Sequence, residues 1–418
     1  MLTTHRHLPS RIARLGVILA ASFVTAVSVA APKAYVGNFK DNTVSVIDTA
    51  TSAVVATVPV AAGPHGMGAT PDGRTVYVSG DGSSMVSVID AATDKVTQTI
   101  EVGKSPHGVA LTPDGRLLVV AVYGEDRIAL VDTTSLATVA TVPIPKPHTI
   151  AIRPDGKLAY VASQEPGKFA LLVVDIAAHN VVGTVALDKP PRDLEFGYDG
   201  KALYFTKAGV NAVGVLDPKS NQIIAEIPTG ASPHIANLFR GAPAGTVVVQ
   251  GPGEVLLFDP ATNTPLRSIA VGKQPHWIAA TADGKNAYVT NEGSNDVTVV
   301  DLATGQTKTI PVGNAPRKVV VQRISVNIAV NAAAAGEKVS IANFAFVPPL
   351  ISIASGQSVT WTNNDGAPHG LAFKDGAKGT DLMLPEASFS RTFDRPGTYD
   401  YVCAVHPYMS GKVVVRSP

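Results

Sequence analysis

One spacing governs what this 418-residue chain can fold into. Seven aspartates, Asp48, Asp90, Asp132, Asp175, Asp217, Asp259 and Asp301, follow one another at intervals of 42, 42, 43, 42, 42 and 42 residues. Each closes a short apolar segment. Each is preceded by an equivalent one: Ala34-Tyr-Val-Gly-Asn, Val76-Tyr-Val-Ser-Gly, Leu118-Val-Val-Ala-Val, Ala159-Tyr-Val-Ala-Ser, Leu203-Tyr-Phe-Thr-Lys, Val247-Val-Val-Gln-Gly and Ala287-Tyr-Val-Thr-Asn. A period near 42 with four short strands per unit is the signature of a β-propeller. Such an array also absorbs a length too great for one ordinary core.

The strands fall into place within each unit. Pro-His or Pro-Arg opens the first strand, as in Pro106-His107-Gly108. Asp72-Gly73, Asp114-Gly115, Asp155-Gly156, Asp199-Gly200 and Asp283-Gly284 then supply the positive φ of a tight hairpin. The fifth complete unit departs, with Arg240-Gly-Ala-Pro-Ala-Gly245 in place of Asp-Gly. The first unit lacks a first strand, and a spare copy, Ala315 to Gln322, stands alone after the sixth complete unit. Joining the two makes a seventh blade from both ends of the array and removes its exposed edges. The array resembles the YVTN family of propeller repeats, whose tetrapeptide is spelled by Tyr288-Val289-Thr290-Asn291. The resemblance covers about residues 34–323 and implies the fold, not a chemistry.

After the repeats, 324–337 loses the period and reads as an alanine-rich linker. From 338 to 418 the chain reads as a small Greek-key β-sandwich: Val339 to Phe346 alternates as one strand, and Ile351 to Trp361 as two strands about a Gly turn. The fold class is therefore all-β, a propeller over 31–323 followed by a sandwich over 338–418.

The sandwich carries the chain's one cysteine, in Cys403-x-x-His406-x-x-Met409. Thiolate, imidazole and thioether suit copper, and a blue-copper site joins two His and one Cys in a plane with a long axial Met. His369 is the candidate for the second imidazole. Trp361-x-Asn363, Pro368-His369, Gly397-Thr-Tyr-x-Tyr-x-Cys403 and the short ligand loop make this region resemble a cupredoxin of the plastocyanin and amicyanin type. That resemblance implies one type 1 copper held by His369, Cys403, His406 and Met409, with Asn363 tying down the ligand loop. Gly370 stands where many relatives carry a polar residue, so the hydrogen bonding around the thiolate is not given by the likeness. Pro368, Pro407 and Tyr408 would form an apolar rim around an imidazole edge, where a redox partner protein docks.

A second constellation recurs with the repeat. His65, His107, His148, His234 and His276 follow proline at the start of the first strands, and Arg192 and Arg317 replace histidine in two blades. Equivalent positions lie at equal radius, so these seven side chains should ring one end of the central channel. Neutral imidazoles suit a metal, and arginines suit an anion. The plainer reading is that Pro-His belongs to the repeat as a packing element. Nitrous oxide reductase also joins a histidine-lined propeller to a cupredoxin, but its two-copper centre needs two cysteines, and this chain has one.

Three roles follow: an exported blue-copper electron carrier, a copper oxidoreductase with a substrate or second metal at the ring, or a lactonase-like propeller hydrolase or scaffold. No Ser-His-Asp set or carboxylate pair stands out from the repeat for the last. Residues 1–30, basic at the start, then apolar from Leu15 and ending in Ser28-Val29-Ala30, read as a secretory signal. A single cysteine excludes an internal disulfide and, in an oxidising compartment, calls for an occupant such as a metal. A net charge of +1 and the absence of a basic run argue against nucleic acid. No apolar run after Ala30 is long enough to span a membrane.

Overall fold

Every repeat becomes a four-stranded antiparallel sheet in the computed structural model, which describes residues 31–322, 337–342, 344–365, 369–383, 386–406 and 409–417. Pro64–Ala69, Thr75–Gly80, Met85–Asp90 and Lys95–Glu101 form one such blade, from channel to rim. The two middle strands are buried on both faces, whereas the rim strand is mostly exposed. That is why the middle strands read as continuous apolar runs. Tyr35, Tyr160 and Tyr288, from the Tyr-Val pairs, are fully buried between blades.

The aspartates that set the period are turn formers. Asp90 Oδ1 accepts the amides of Ala92 and Thr93 at 3.1 and 2.8 Å, and Asp48, Asp132 and Asp301 repeat the pattern. Glycines 73, 115, 156, 200 and 284 take φ of 66 to 72°, as the Asp-Gly hairpins require. Glycine in Pro-His-Gly answers a different need. A Cβ on Gly66 would lie 2.2 Å from the His107 carbonyl oxygen, because adjacent inner strands converge at the channel.

Seven blades close the ring. Pro316–Val321 pairs antiparallel with Lys33–Asn38, Tyr35 facing Val320, so the last inner strand completes the first blade. Each inner strand begins with its Pro-His or Pro-Arg at one end of the channel. The last one finishes near Gln322, which lines the opposite end.

The second part is a two-sheet sandwich. One sheet is ordered Ala345–Val347, Glu337–Ala342, Gln357–Asn363, Ser388–Phe393, and the other Leu350–Ala354, Ser410–Arg416, Gly397–Val402, His369–Phe373, Thr380–Met383. Val339 to Phe346 is not one strand. Phe344, at φ 56°, breaks it into two that fold back on each other, with Ile341 opposite Phe346. Trp361 is fully buried and meets Tyr401 and Phe373 edge-on at 5.2 and 5.6 Å between ring centres. Cys403 and Met409 belong to the same core. Residues 31–418 form one unit, and among those described no helix is long and apolar enough to cross a membrane. The signal segment 1–30 and all of the linker but Glu337 lie outside the described residues, as do Pro368, Pro407 and Tyr408.

Candidate metal centre and channel

Cys403 follows directly on the strand Gly397–Val402, and the loop after it is short enough to return at once. Cys403 N–H donates to the Met409 carbonyl and Met409 N–H to the His406 carbonyl, both at 2.9 Å. His369 opens the neighbouring strand of the same sheet, which pairs with Gly397–Val402 through Ala372 and Val402. These two strand ends bring three donor atoms together. His369 Nδ1 and His406 Nδ1 lie 3.5 and 3.7 Å from Cys403 Sγ and 3.2 Å from each other. A point equidistant from all three sits about 2.0 Å from each, close to metal–imidazole and metal–thiolate bond lengths. Among the described residues this is the one set of three His, Cys, Asp or Glu side chains whose ligand atoms all fall within 4.8 Å of one another.

The surroundings favour a thiolate. Burial pushes the Cys403 thiol up. The His369 and His406 side chains and the Gly370 and His406 amides outweigh it and bring the thiol down to about 5. Those amides donate to Sγ at 3.4 and 3.3 Å, so Gly370 supplies from its backbone what its side chain lacks. Burial disfavours a charged His369, yet the Asp365 and Cys403 contacts raise it above the ordinary histidine value.

Asp365 and its partners were not legible in the sequence. His369 Nε2 donates to Asp365 Oδ2 at 2.8 Å, which leaves Nδ1 unprotonated and able to face a metal. Phe344 N–H donates to the same oxygen at 2.8 Å, and the Phe344 ring stands edge-on to His406 and His369 at 4.9 and 5.4 Å. The carboxylate, 2% exposed, also pairs with the Arg240 guanidinium, which donates to the Asn364 carbonyl at 2.5 Å. Arg240 sits on the irregular loop of the sixth blade, so a propeller residue reaches the surroundings of the candidate metal site. The break in that blade's hairpin pattern was the available signal. Asn363 donates to the Met383 carbonyl and accepts the Asp365 amide, at 2.8 and 2.9 Å, bracing the turn that carries Asp365.

At the other end of the propeller, the five histidines and two arginines of the ring all line one cavity of about 810 Å³. Neighbouring imidazoles lie against one another tilted by 37 to 43°, with ring centres 3.8 Å apart for His65 and His107, 4.0 Å for His107 and His148, and 3.9 Å for His234 and His276. Burial holds His65, His107 and His276 well below the ordinary histidine value, so they are neutral.

The channel end facing the sandwich holds a cavity of about 450 Å³, lined in part by Trp277, Lys318, Arg240 and Phe344. The Lys318 ammonium lies over the Trp277 ring at 3.3 Å, and burial lowers it to about 8. Its folded pKa is thus below its unfolded one, so the unfolded chain binds more protons between pH 8 and about 10.5, and stability rises with pH across that window. Replacing Lys318 with Met should stabilise the protein at pH 7 by at most about 3 kcal/mol. The advantage should vanish above pH 10.5; a gain equally large there, measured by denaturant unfolding, would refute the account.

Comparisons with known proteins follow this division. Residues 14–115 match the YNCE-like beta-propeller model. Residues 333–416 match the model for copper binding proteins of the plastocyanin/azurin family. Amicyanin-alpha of Methylorubrum extorquens is 43% identical over 94 residues, 21% of this chain and 79% of that protein. The chain belongs to the plastocyanin/azurin family. Amicyanin of Paracoccus versutus is 37% identical over 83 residues, 19% of this chain and 63% of its own length. The plastocyanin/azurin likeness is thus confined to the C-terminal part. Among solved structures, Kuenenia stuttgartiensis hydrazine synthase superposes with a TM-score of 0.60 at 22% identity, covering 68% of this chain and 99% of that one, which shows the propeller fold alone.

Proposed function

We propose that this chain is an exported blue-copper electron carrier whose 338–418 region holds one copper and whose 31–323 propeller docks or orients it against a redox partner protein. In this reading residues 1–30 are removed on export and 324–337 link the two parts. The observation that carries it is the triangle of His369 Nδ1, His406 Nδ1 and Cys403 Sγ. Met409, buried beside Cys403 in the sandwich core, would supply the thioether ligand.

Bound copper supplies one-electron redox chemistry. The chain's own residues keep the site rigid and mostly dry. His369 is fully buried with Asp365 fixing its ring, Cys403 is locked by its loop, and His406 is only partly covered. Ala404 and Val405 are exposed beside His406, Val405 at 41%, and give an apolar patch suited to a short-lived protein contact. Metal analysis with a visible spectrum tests the assignment. About one copper per chain with an intense blue band is the expected result. A copper-loaded protein with no such band would exclude a type 1 site.

A further inference from the structure

The histidine-ringed cavity is far from the copper loop in sequence and takes no part in the reading above. The geometry points to this cavity as a binding site for a small organic anion that also carries hydrogen-bond donors, such as a hydroxycarboxylate.

The two arginines set the charge of the cavity. Arg317 is engaged, its guanidinium bonding Glu292 at 3.1 and 3.2 Å and stacking over Phe39 at 3.6 Å. Arg192 differs. It is half-buried, donates to Ser232 Oγ at 3.1 Å and reaches Gln250 Oε1 only at 3.4 Å, and no carboxylate lies within 4.0 Å among the described residues. The lining therefore presents two guanidiniums against the single carboxylate of Glu292. Asp193 lies behind the lining, against His234 Nδ1 at 2.8 Å. A half-buried guanidinium without a counter-ion is a strong locus for a carboxylate.

The histidines define the rest of the ligand. His107 Nδ1 is 3.0 Å from the His148 carbonyl oxygen, and His148 Nδ1 is 2.8 Å from that of Arg192. A carbonyl only accepts, so both Nδ1 atoms carry the proton. A neutral imidazole then has an unprotonated Nε2. Two cavity-lining rings thus offer acceptors beside the cation. A ligand with hydroxyl or amine donors satisfies these acceptors, and a bare anion leaves them unpaired. A metal is the weaker alternative. No three of the ring's ligand atoms come within the 4.8 Å of one another that holds for His369, Cys403 and His406.

Tartrate and succinate share a four-carbon dicarboxylate frame and differ by two hydroxyls, which makes them the discriminating probes. Calorimetric titration of the full chain should show tartrate binding at least about tenfold more tightly than succinate. Arg192→Gln should weaken tartrate by at least about tenfold, Arg192→Lys less, and His107→Phe should remove the preference for tartrate. The visible spectrum of the copper-loaded protein, unchanged in all three variants, reports that the chain is folded and that the copper assignment stands apart. Three results would each overturn the inference: no binding of either probe at millimolar concentration, equal affinity for both, or tartrate binding undiminished in a folded Arg192→Gln protein. A second copper or zinc per chain that is lost on His107→Phe would replace the anion with a metal.

Discussion

Replacing Cys403 with Ser should abolish the intense visible absorption of the Cu(II) protein while leaving the fold in place. The band belongs to charge transfer from a thiolate, and the chain has no other sulfur of that kind. A serine hydroxyl keeps the volume but is a harder, far less acidic donor. It also leaves the Gly370 and His406 amides, now 3.4 and 3.3 Å from Sγ, with a weaker acceptor. Burying an imperfectly bonded hydroxyl costs about 1–3 kcal/mol, which a sandwich core built around Trp361 can carry. Near-ultraviolet circular dichroism of the metal-free protein should therefore change little. A blue band surviving in Cys403→Ser would show that Cys403 is not the ligand.

The second large effect is expected at Asp365 and Arg240, and it has opposite signs at the two. The Asp365 carboxylate accepts from His369 Nε2 and makes Nδ1 a better donor, which favours Cu(II) over Cu(I). Asp365→Asn should weaken copper about 10–100-fold. The reduction potential should rise by about 60 mV for each tenfold by which Cu(II) is weakened more than Cu(I). Arg240 draws charge away from the same carboxylate, so Arg240→Gln should lower the potential and leave the ligand set intact. Voltammetry of the two variants decides. Shifts of the same sign, or no shift in Arg240→Gln, would mean that the guanidinium does not influence the site electrostatically. Thermal melting of the metal-free proteins separates this from a loss of folding, since removing Arg240 leaves a buried carboxylate with less compensation.

Most of the fold could be read in the sequence because a propeller is a one-dimensional pattern written seven times. Even the closing strand was visible as a spare copy at Ala315 to Gln322. The candidate donors stood out for a related reason: Cys403, His406 and Met409 share one short loop, and His369 opens the strand that pairs with the strand ending at Val402. Asp365, Phe344 and Arg240 were not, because their roles arise from tertiary approach. Phe344 reads as the alternating member of a strand until its positive φ turns the chain and presents its ring to both histidines. Arg240 is 125 residues from Asp365, and only the loss of Asp-Gly in its blade marked the place. The histidine ring was legible as a ring, but not as a set of fixed tautomers, since those depend on carbonyls of the neighbouring blade.

The strand that completes the first blade has a consequence for how the chain is made. Lys33 N–H bonds the Gln322 side chain across 289 residues. Closing a loop of that length costs about 5 kcal/mol in the logarithmic term alone. Until residues 316–321 leave the ribosome, Lys33–Asn38 has a bare edge and no neighbour on its channel side. At roughly 5–20 residues per second that wait lasts about 15–60 s. The first blade to be synthesised is thus the last to be finished, and its unpaired edge is the segment a nascent-chain chaperone would need to shield.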